Sequence, residues 1–157
     1  MSRQRVAVAG LALSAVGLVS IAAWESFRGT AYDDGVGVQT IGYGSTAGVR
    51  KGDTITPDRA LIRLADDAAG MQRRLRQCIG DVPLAQGEWD AYVSWTYNVG
   101  PVAACGSTLV RKLHESPPDY AGACAELLRW TRAGGRELPG LVKRRQAEYR
   151  MCIGATQ

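Results

Sequence analysis

The sequence predicts an α+β fold in which a small β-hairpin lobe and a larger helical lobe are joined by one long helix. Three observations predict it. A glycine-rich stretch from Gly29 to Gly44, with turn signals at Asp33-Asp34-Gly35 and Gly37, follows an apolar run that ends at Ala23. Apolar residues at helical spacing then continue from Ala60 to Ile79. Beyond Gly80 the remaining periodic stretches keep helical spacing as well. At 157 residues the chain is one globular unit by size, large enough to bury a core without staples.

Taken in order, Met1 to Arg5 are basic and precede an uncharged run from Val6 to Ala23, the pattern of an export segment whose arginines stay on the cytoplasmic side. As a helix this run would span about 27 Å, just the thickness of a bilayer core, yet it is crowded with alanine, glycine and serine. Ser20-Ile-Ala22 fits a signal-peptidase site, but cleavage there would leave Glu25 almost at a free chain end. Retention as a helix is the more coherent expectation, because Glu25 then has an element to hold it. Ala31 to Ile55 reads as the hairpin lobe, with a loop and short strand from Arg50 to Ile55. Thr56-Pro57 is an N-cap followed by proline at the first helical position. Ala60, Leu61, Leu64, Ala68, Met71, Leu75 and Ile79 mark the long connecting helix, which Gly80 and Pro83 stop.

Gln86 to Val99 is the next helix, with Trp89, Tyr92, Val93, Thr96 and Val99 on one core-facing stripe. Ser107 to His114 and Asp119 to Trp130 read as shorter helices, and Gly134-Gly135 as a break. Pro139 starts the last helix, on which Lys143, Arg144, Arg145 and Arg150 read as a solvated face. His114, in a turn-rich stretch, reads as a surface histidine without a partner.

Chemistry concentrates between Trp24 and Thr46. Glu25 ends the apolar helix, Asp34 lies in the hairpin turn and Thr40 on its return strand, so the hairpin folds Asp34 and Thr40 back toward Glu25. Two carboxylates flanking one cleft are what cleavage of a glycosidic bond requires: one gives a proton to the leaving oxygen, the other activates water or attacks the sugar. Trp24 and Phe27 predict apolar surroundings for Glu25, suited to the proton donor. The glycine-rich turn predicts a solvated Asp34 suited to the ionised role. Asp33 is a rival, since neighbours in a strand point to opposite faces and spacing alone does not choose between them.

Glu25, Tyr32-x-Asp34, Gly37 and the run Thr40 to Gly44 (TIGYG) resemble the Glu, Asp, Thr signature of the phage-type lysozymes, the muramidase endolysins. The likeness continues through Trp95 to Gly100, Ser107 to Leu109, Glu126 to Trp130, Gly134-Gly135, Leu138 to Leu141 and Arg144 to Glu148. It implies a lysozyme-like fold, no cofactor, and hydrolysis of peptidoglycan between N-acetylmuramic acid and N-acetylglucosamine in phage-driven lysis. It selects Asp34 over Asp33, and implies Glu25 as acid, Asp34 as base, Thr40 as holder of the attacking water, and inversion at the anomeric carbon. Tyr43, Gly44, Tyr97, Asn98 and Thr108, all within the matching stretches, are the expected substrate contacts. Many members carry a histidine where this chain has Ser45, to which no role is assigned.

The small-residue N-terminus abutting Glu25 resembles the signal-anchor-release endolysins. That implies residues 1–23 as a retained signal-anchor that packs into the domain on release, and residues 24–157 as the catalytic domain. The partners are then peptidoglycan and, before release, the periplasmic face of the host inner membrane; the released enzyme is a monomer in the periplasm. The anchor contains no cysteine, which argues against a thiol-exchange switch. A lytic transglycosylase, which needs one acid and yields an anhydro-sugar, is the enzymatic alternative. A non-enzymatic membrane-disrupting protein is the other.

The net charge of +4 suits an anionic target, but the basic residues are scattered and no nucleic-acid-binding motif appears, so nucleic acid is not an expected partner. Cys78, Cys105, Cys124 and Cys152 show no metal-binding spacing, and no metal site is expected. Of the three pairings open to four cysteines, Cys78–Cys105 and Cys124–Cys152 are expected, because each ties the ends of neighbouring helices.

Overall fold

The computed structural model describes residues 3–155; Met1 and Ser2 of the basic flank, and Thr156 and Gln157 at the end of the catalytic segment, lie outside the described residues. The N-terminal run is not one helix. Val6 pairs with Leu84 through two backbone hydrogen bonds of 3.0 and 2.9 Å, Val8–Gly10 form a 3-10 turn, and only Ala15–Glu25 (α1) is α-helical. Ser14 starts the helix where it does: its hydroxyl accepts from Gly17 N at 3.1 Å. Among the described residues no helix is long and apolar enough to cross a membrane.

Strands β1 (Arg28–Asp33) and β2 (Gln39–Gly42) pair antiparallel, with Tyr32 opposite Thr40, Asp33 opposite Gln39 and an irregularity between Arg28 and Tyr32. Thr54 adds a bridge to Thr30, flanked by Ala31 N to Asp53 O and Ile55 N to Gly29 O at 2.9 Å, so the stretch expected as a short strand closes the small lobe. Helix α2 (Pro57–Ile79) runs from this lobe into the other, about 34 Å long. It begins at the expected proline and ends at Gly80, whose φ of 70° suits a residue without a side chain. Thr56 precedes it without a side-chain capping bond to the helix.

Helix α3 (Gln86–Val99) spans the expected residues but has no exposed face over most of its length. Every residue from Glu88 to Thr96 is buried, because α1, α2, α4 (Pro101–Cys105) and α7 (Pro139–Ile153) all pack against it. The expected single stripe is therefore corrected to a central helix. Trp89, Tyr92 and Trp95 form the middle of the core with Ile21, Leu64, Leu75, Leu109 and Leu113. The shorter helices are α5 (Thr108–Leu113) and α6 (Tyr120–Glu126), the latter followed by a 3-10 turn at Leu127–Arg129. The Gly134-Gly135 break is the turn of a small hairpin, β3 (Arg132–Ala133) with β4 (Arg136–Glu137), since both glycines take positive φ.

Two disulfides tie the helical lobe, Cys78 of α2 to Cys105 of α4 and Cys124 of α6 to Cys152 of α7. With sequence separations of 27 and 28 between the partners, chain entropy alone assigns each about 3.5 kcal/mol. His114 is exposed but not without a partner, since its Nε2 lies 2.9 Å from Ile79 O.

Of the expected solvated face of α7, Lys143 and Arg150 are exposed, whereas Arg144 and Arg145 are the largest correction. Arg144 and Arg145 are 4 and 0% exposed, because Glu148, itself 1% exposed, sits within one helical turn of both. Glu148 Oε1 accepts from Arg144 Nε at 3.0 Å and from Ser94 Oγ at 2.7 Å, and its Oε2 accepts from Arg145 Nη1 at 2.6 Å. Burial pushes the Glu148 carboxyl above its ordinary range, with Arg145 and Arg144 opposing the shift.

Candidate active site

Glu25 is the last residue of α1, and the chain turns sharply after it. Ser26 takes φ 58°, a conformation costly for a residue with a side chain, and this turn sends the chain directly into β1. The Glu25 carboxylate is not in the apolar pocket that Trp24 and Phe27 led us to expect. Its Oε1 accepts from Arg144 Nη1 at 2.8 Å, and the same guanidinium is fixed by Glu148 and, through Nη2, by Ser94 O at 3.1 Å. Three acceptors on α1, α3 and α7 thus hold one arginine, and that arginine orients Glu25.

On the other side of Glu25, a Cβ placed on Gly44 would lie 3.5 Å from Oε2 and 3.9 Å from the Tyr97 ring and hydroxyl. Gly44 takes φ 87°, so glycine serves there both for the turn and for the close approach of backbone to the carboxylate. Tyr97 donates its hydroxyl to Tyr43 O at 3.1 Å, which joins α3 to the turn after β2. Burial, followed by the negative charges of Asp67 and Glu25, pushes the Tyr97 hydroxyl above its ordinary range, so it remains a neutral donor. Glu25, Tyr43, Gly44 and Tyr97 are therefore one cluster. The Phe27 ring lies 5.6 Å from that of Tyr43 at its border.

In the hairpin, Asp33 Oδ1 accepts from Gly35 N at 2.8 Å and Gly37 N at 3.1 Å, while Asp34 Oδ1 accepts from Val36 N at 3.0 Å and Val38 N at 3.1 Å. Each acid is oriented by turn amides through one oxygen. Val38 O accepts both from Asp34 N at 3.1 Å and from the Thr40 hydroxyl at 3.4 Å, so Asp34 and Thr40 are linked through one peptide in a way that Asp33 is not. Thr40 is buried on β2 and both aspartates are exposed.

Asn98 and Thr108, the other two expected contacts, have partners within the protein. Asn98 Oδ1 accepts from Arg145 Nη2, and Thr108, the first residue of α5, accepts from Arg111 Nη2 at 3.4 Å with no hydrogen bond to the Glu25 cluster among the described residues. Ser45, to which the sequence assigned nothing, is buried and donates to Asp67 Oδ2 at 2.5 Å, pinning the turn that carries Gly44 to α2. Arg144 is the residue that sequence reasoning missed. Glu148 beside the arginine run, at i+4 from Arg144 and i+3 from Arg145, was the available signal. No cluster of three or more metal-ligating side chains occurs among the described residues.

A family model described as phage lysozyme matches residues 22–148. The chain belongs to the phage lysozyme family. This phage lysozyme family chain is 43% identical to an endolysin of Acyrthosiphon pisum secondary endosymbiont phage 1, over 87% of the chain and 94% of that relative. It is 35% identical to a SAR-endolysin of Pseudomonas phage phiKMV, over 92% of the chain and 89% of that relative. Among solved structures, the muramidase domain of SpmX from Asticaccaulis excentricus superposes with a TM-score of 0.84 at 27% identity, covering 91% of this chain and 98% of that one. The fold is lysozyme-like. The family match begins three residues before Glu25 and ends at Glu148, so Glu25, the hairpin acids, Tyr97 and Arg144 all fall inside it, while residues 3–21 precede it.

Proposed function

We propose that this phage-type lysozyme is an endolysin that hydrolyses the glycan strands of peptidoglycan between N-acetylmuramic acid and N-acetylglucosamine to lyse a host bacterium. It is a glycoside hydrolase, and peptidoglycan is its substrate. The observation that carries the reading is Glu25 held by Arg144 at the end of α1, directly ahead of a hairpin in which Asp34 N and the Thr40 hydroxyl both donate to Val38 O. In this reading Glu25 gives its proton to the leaving glycosidic oxygen as the bond breaks. Asp34 takes a proton from water as it attacks the anomeric carbon from the opposite face, and the Thr40 hydroxyl orients that water.

The test is the product set on purified cell wall. Hydrolysis leaves new reducing ends, whereas anhydro-sugar ends without uptake of water would make this a lytic transglycosylase. Asp34→Asn is expected to lower the hydrolysis rate about a hundredfold, and Asp33→Asn by less than about threefold. The reverse ordering would move the base to Asp33.

Residues 1–23 are proposed to begin as a signal-anchor in the host inner membrane, facing the periplasm, and to fold into the domain on release as a soluble monomer. The composition of α1 supports this: it carries no charge before Glu25, and Val16 and Val19 are 68 and 63% exposed, a surface that lipid would cover. Replacing Gly10 and Val16 by leucine adds apolar area at positions that are exposed in the folded domain. The variant is expected to accumulate in the membrane fraction and delay lysis. A normal rate of appearance in the soluble periplasm, or a mature N-terminus at Ala23, would refute the anchor.

A further inference from the structure

We propose that Asp90, at the centre of a polar clasp on α2 and α3, is a positioning residue for Glu25 that acts by fixing the rotation of α1; this rests on the hydrolase reading above. Four side chains bind the backbone just ahead of α1. Arg76 donates to Leu11 O, Gln86 Nε2 donates to Ala12 O at 2.8 Å, Leu13 N donates to Gln72 Oε1 at 2.8 Å, and Ser14 N donates to Asp90 Oδ1 at 2.9 Å. Four consecutive residues are thus each gripped once. The Ser14 hydroxyl, which caps α1, donates to Asp90 Oδ2 at 2.5 Å, and Gln86 donates to Asp90 Oδ1 at 2.9 Å. Asp90 is 4% exposed, so both of its oxygens are spent inside the protein.

Burial alone gives α1 little reason to prefer one rotation. Its residues before Glu25 are apolar or small on every side, with Val16 and Val19 facing out while Ile21 and Ala22 face in. A helix turns by about 100° per residue, so a slip of one residue would swing Glu25 a quarter turn or more away from Arg144. A buried polar contact discriminates where apolar surfaces do not, and register control is the best-attested use of such groups. Gly17 lets α1 come close enough for it. A Cβ at Gly17 would stand 3.0 Å from Asp90 Cγ and Oδ1. From Ala15 to Glu25 the helix is one rod of about 15 Å, so an error at the clasp is delivered to the carboxylate. Ser14 and the segment it ends lie outside the family match, which begins at residue 22.

The experiment compares the purified full chain with Ser14→Ala, Asp90→Ala and, as the conservative variant, Ser14→Thr. Asp119→Ala serves as a control that removes another side-chain N-cap, that of α6. The expected result is a kcat on cell wall lower by about ten- to hundredfold in Ser14→Ala and Asp90→Ala, with KM within about twofold and near-UV circular dichroism native at the assay temperature. Ser14→Thr should regain most of the rate, and Asp119→Ala should keep it at an equal loss of thermal midpoint. A normal kcat in Ser14→Ala overturns the proposal, as does a loss that Asp119→Ala reproduces. If Asp90→Ala fails to fold, the serine pair decides. Wild-type protein that released no glycan product would sink the hydrolase reading instead. The clasp would then be judged by amide hydrogen exchange in Ser14→Ala, where faster exchange across residues 18–25 supports it and unchanged exchange overturns it.

Discussion

Glu25→Gln is expected to lower cell-wall hydrolysis by about 10²- to 10⁴-fold while the protein stays folded. The substitution keeps the shape of the side chain and removes the proton that the leaving oxygen must receive. It leaves the neighbourhood standing, because Arg144 retains Glu148 Oε1 at 3.0 Å and Ser94 O at 3.1 Å, and the glutamine carbonyl still accepts where Glu25 Oε1 did. An unchanged KM with the lower kcat would place the loss in the chemical step. Hydrolysis at more than about a tenth of the wild-type rate would remove Glu25 from the role of acid.

The largest loss of stability is expected from Glu148→Gln, about 3 to 5 kcal/mol by denaturant unfolding, or a thermal midpoint roughly 6 to 20 °C lower. Glu148 is the anion shared by two buried guanidiniums, and an amide in its place presents N–H donors to donors. Burial outweighs pairing at both Glu148 and Arg145, whose guanidinium burial shifts below its ordinary range, so the group is poor value compared with an apolar core. Removing one member is still far worse than never having built it. A loss below about 1 kcal/mol would mean that water or local rearrangement satisfies the arginines. Because Glu148 also steadies the arginine that orients Glu25, the rate should fall together with the stability.

What was legible in the sequence had local causes. Thr56-Pro57 and Gly80 bracket α2, Pro139 opens α7, and the Gln86 to Val99 helix stands with the expected ends because its neighbours at Gly100 and Pro101 interrupt the period. The order of helix end, hairpin acid and hairpin hydroxyl was likewise readable within sixteen residues, from Glu25 to Thr40. What failed depends on partners far along the chain. Apolarity marked residues 6–23 as helical, but Leu84, Gln72 and Gln86 bind the backbone of the first part and hold it out of a helix. Charge pattern marked Arg144 and Arg145 as solvated, because a single helix gives no sign that Glu25, Ser94 and Asn98 will meet them. The stripe assigned to α3 was incomplete for the same reason, since four helices surround it and periodicity records only one face.

The bond between Arg144 and Glu25 joins residues 119 positions apart, almost the two ends of the chain. During synthesis the carboxylate leaves the ribosome long before its guanidinium exists. A chain that terminates early carries Glu25, Asp34 and Thr40 but lacks Arg144, the Glu148 that holds it and the Cys152 that closes the second disulfide, all of which lie within nine residues of one another. The fold thereby acts as a completeness check, in which an unfinished copy has the acid but no means of aiming it.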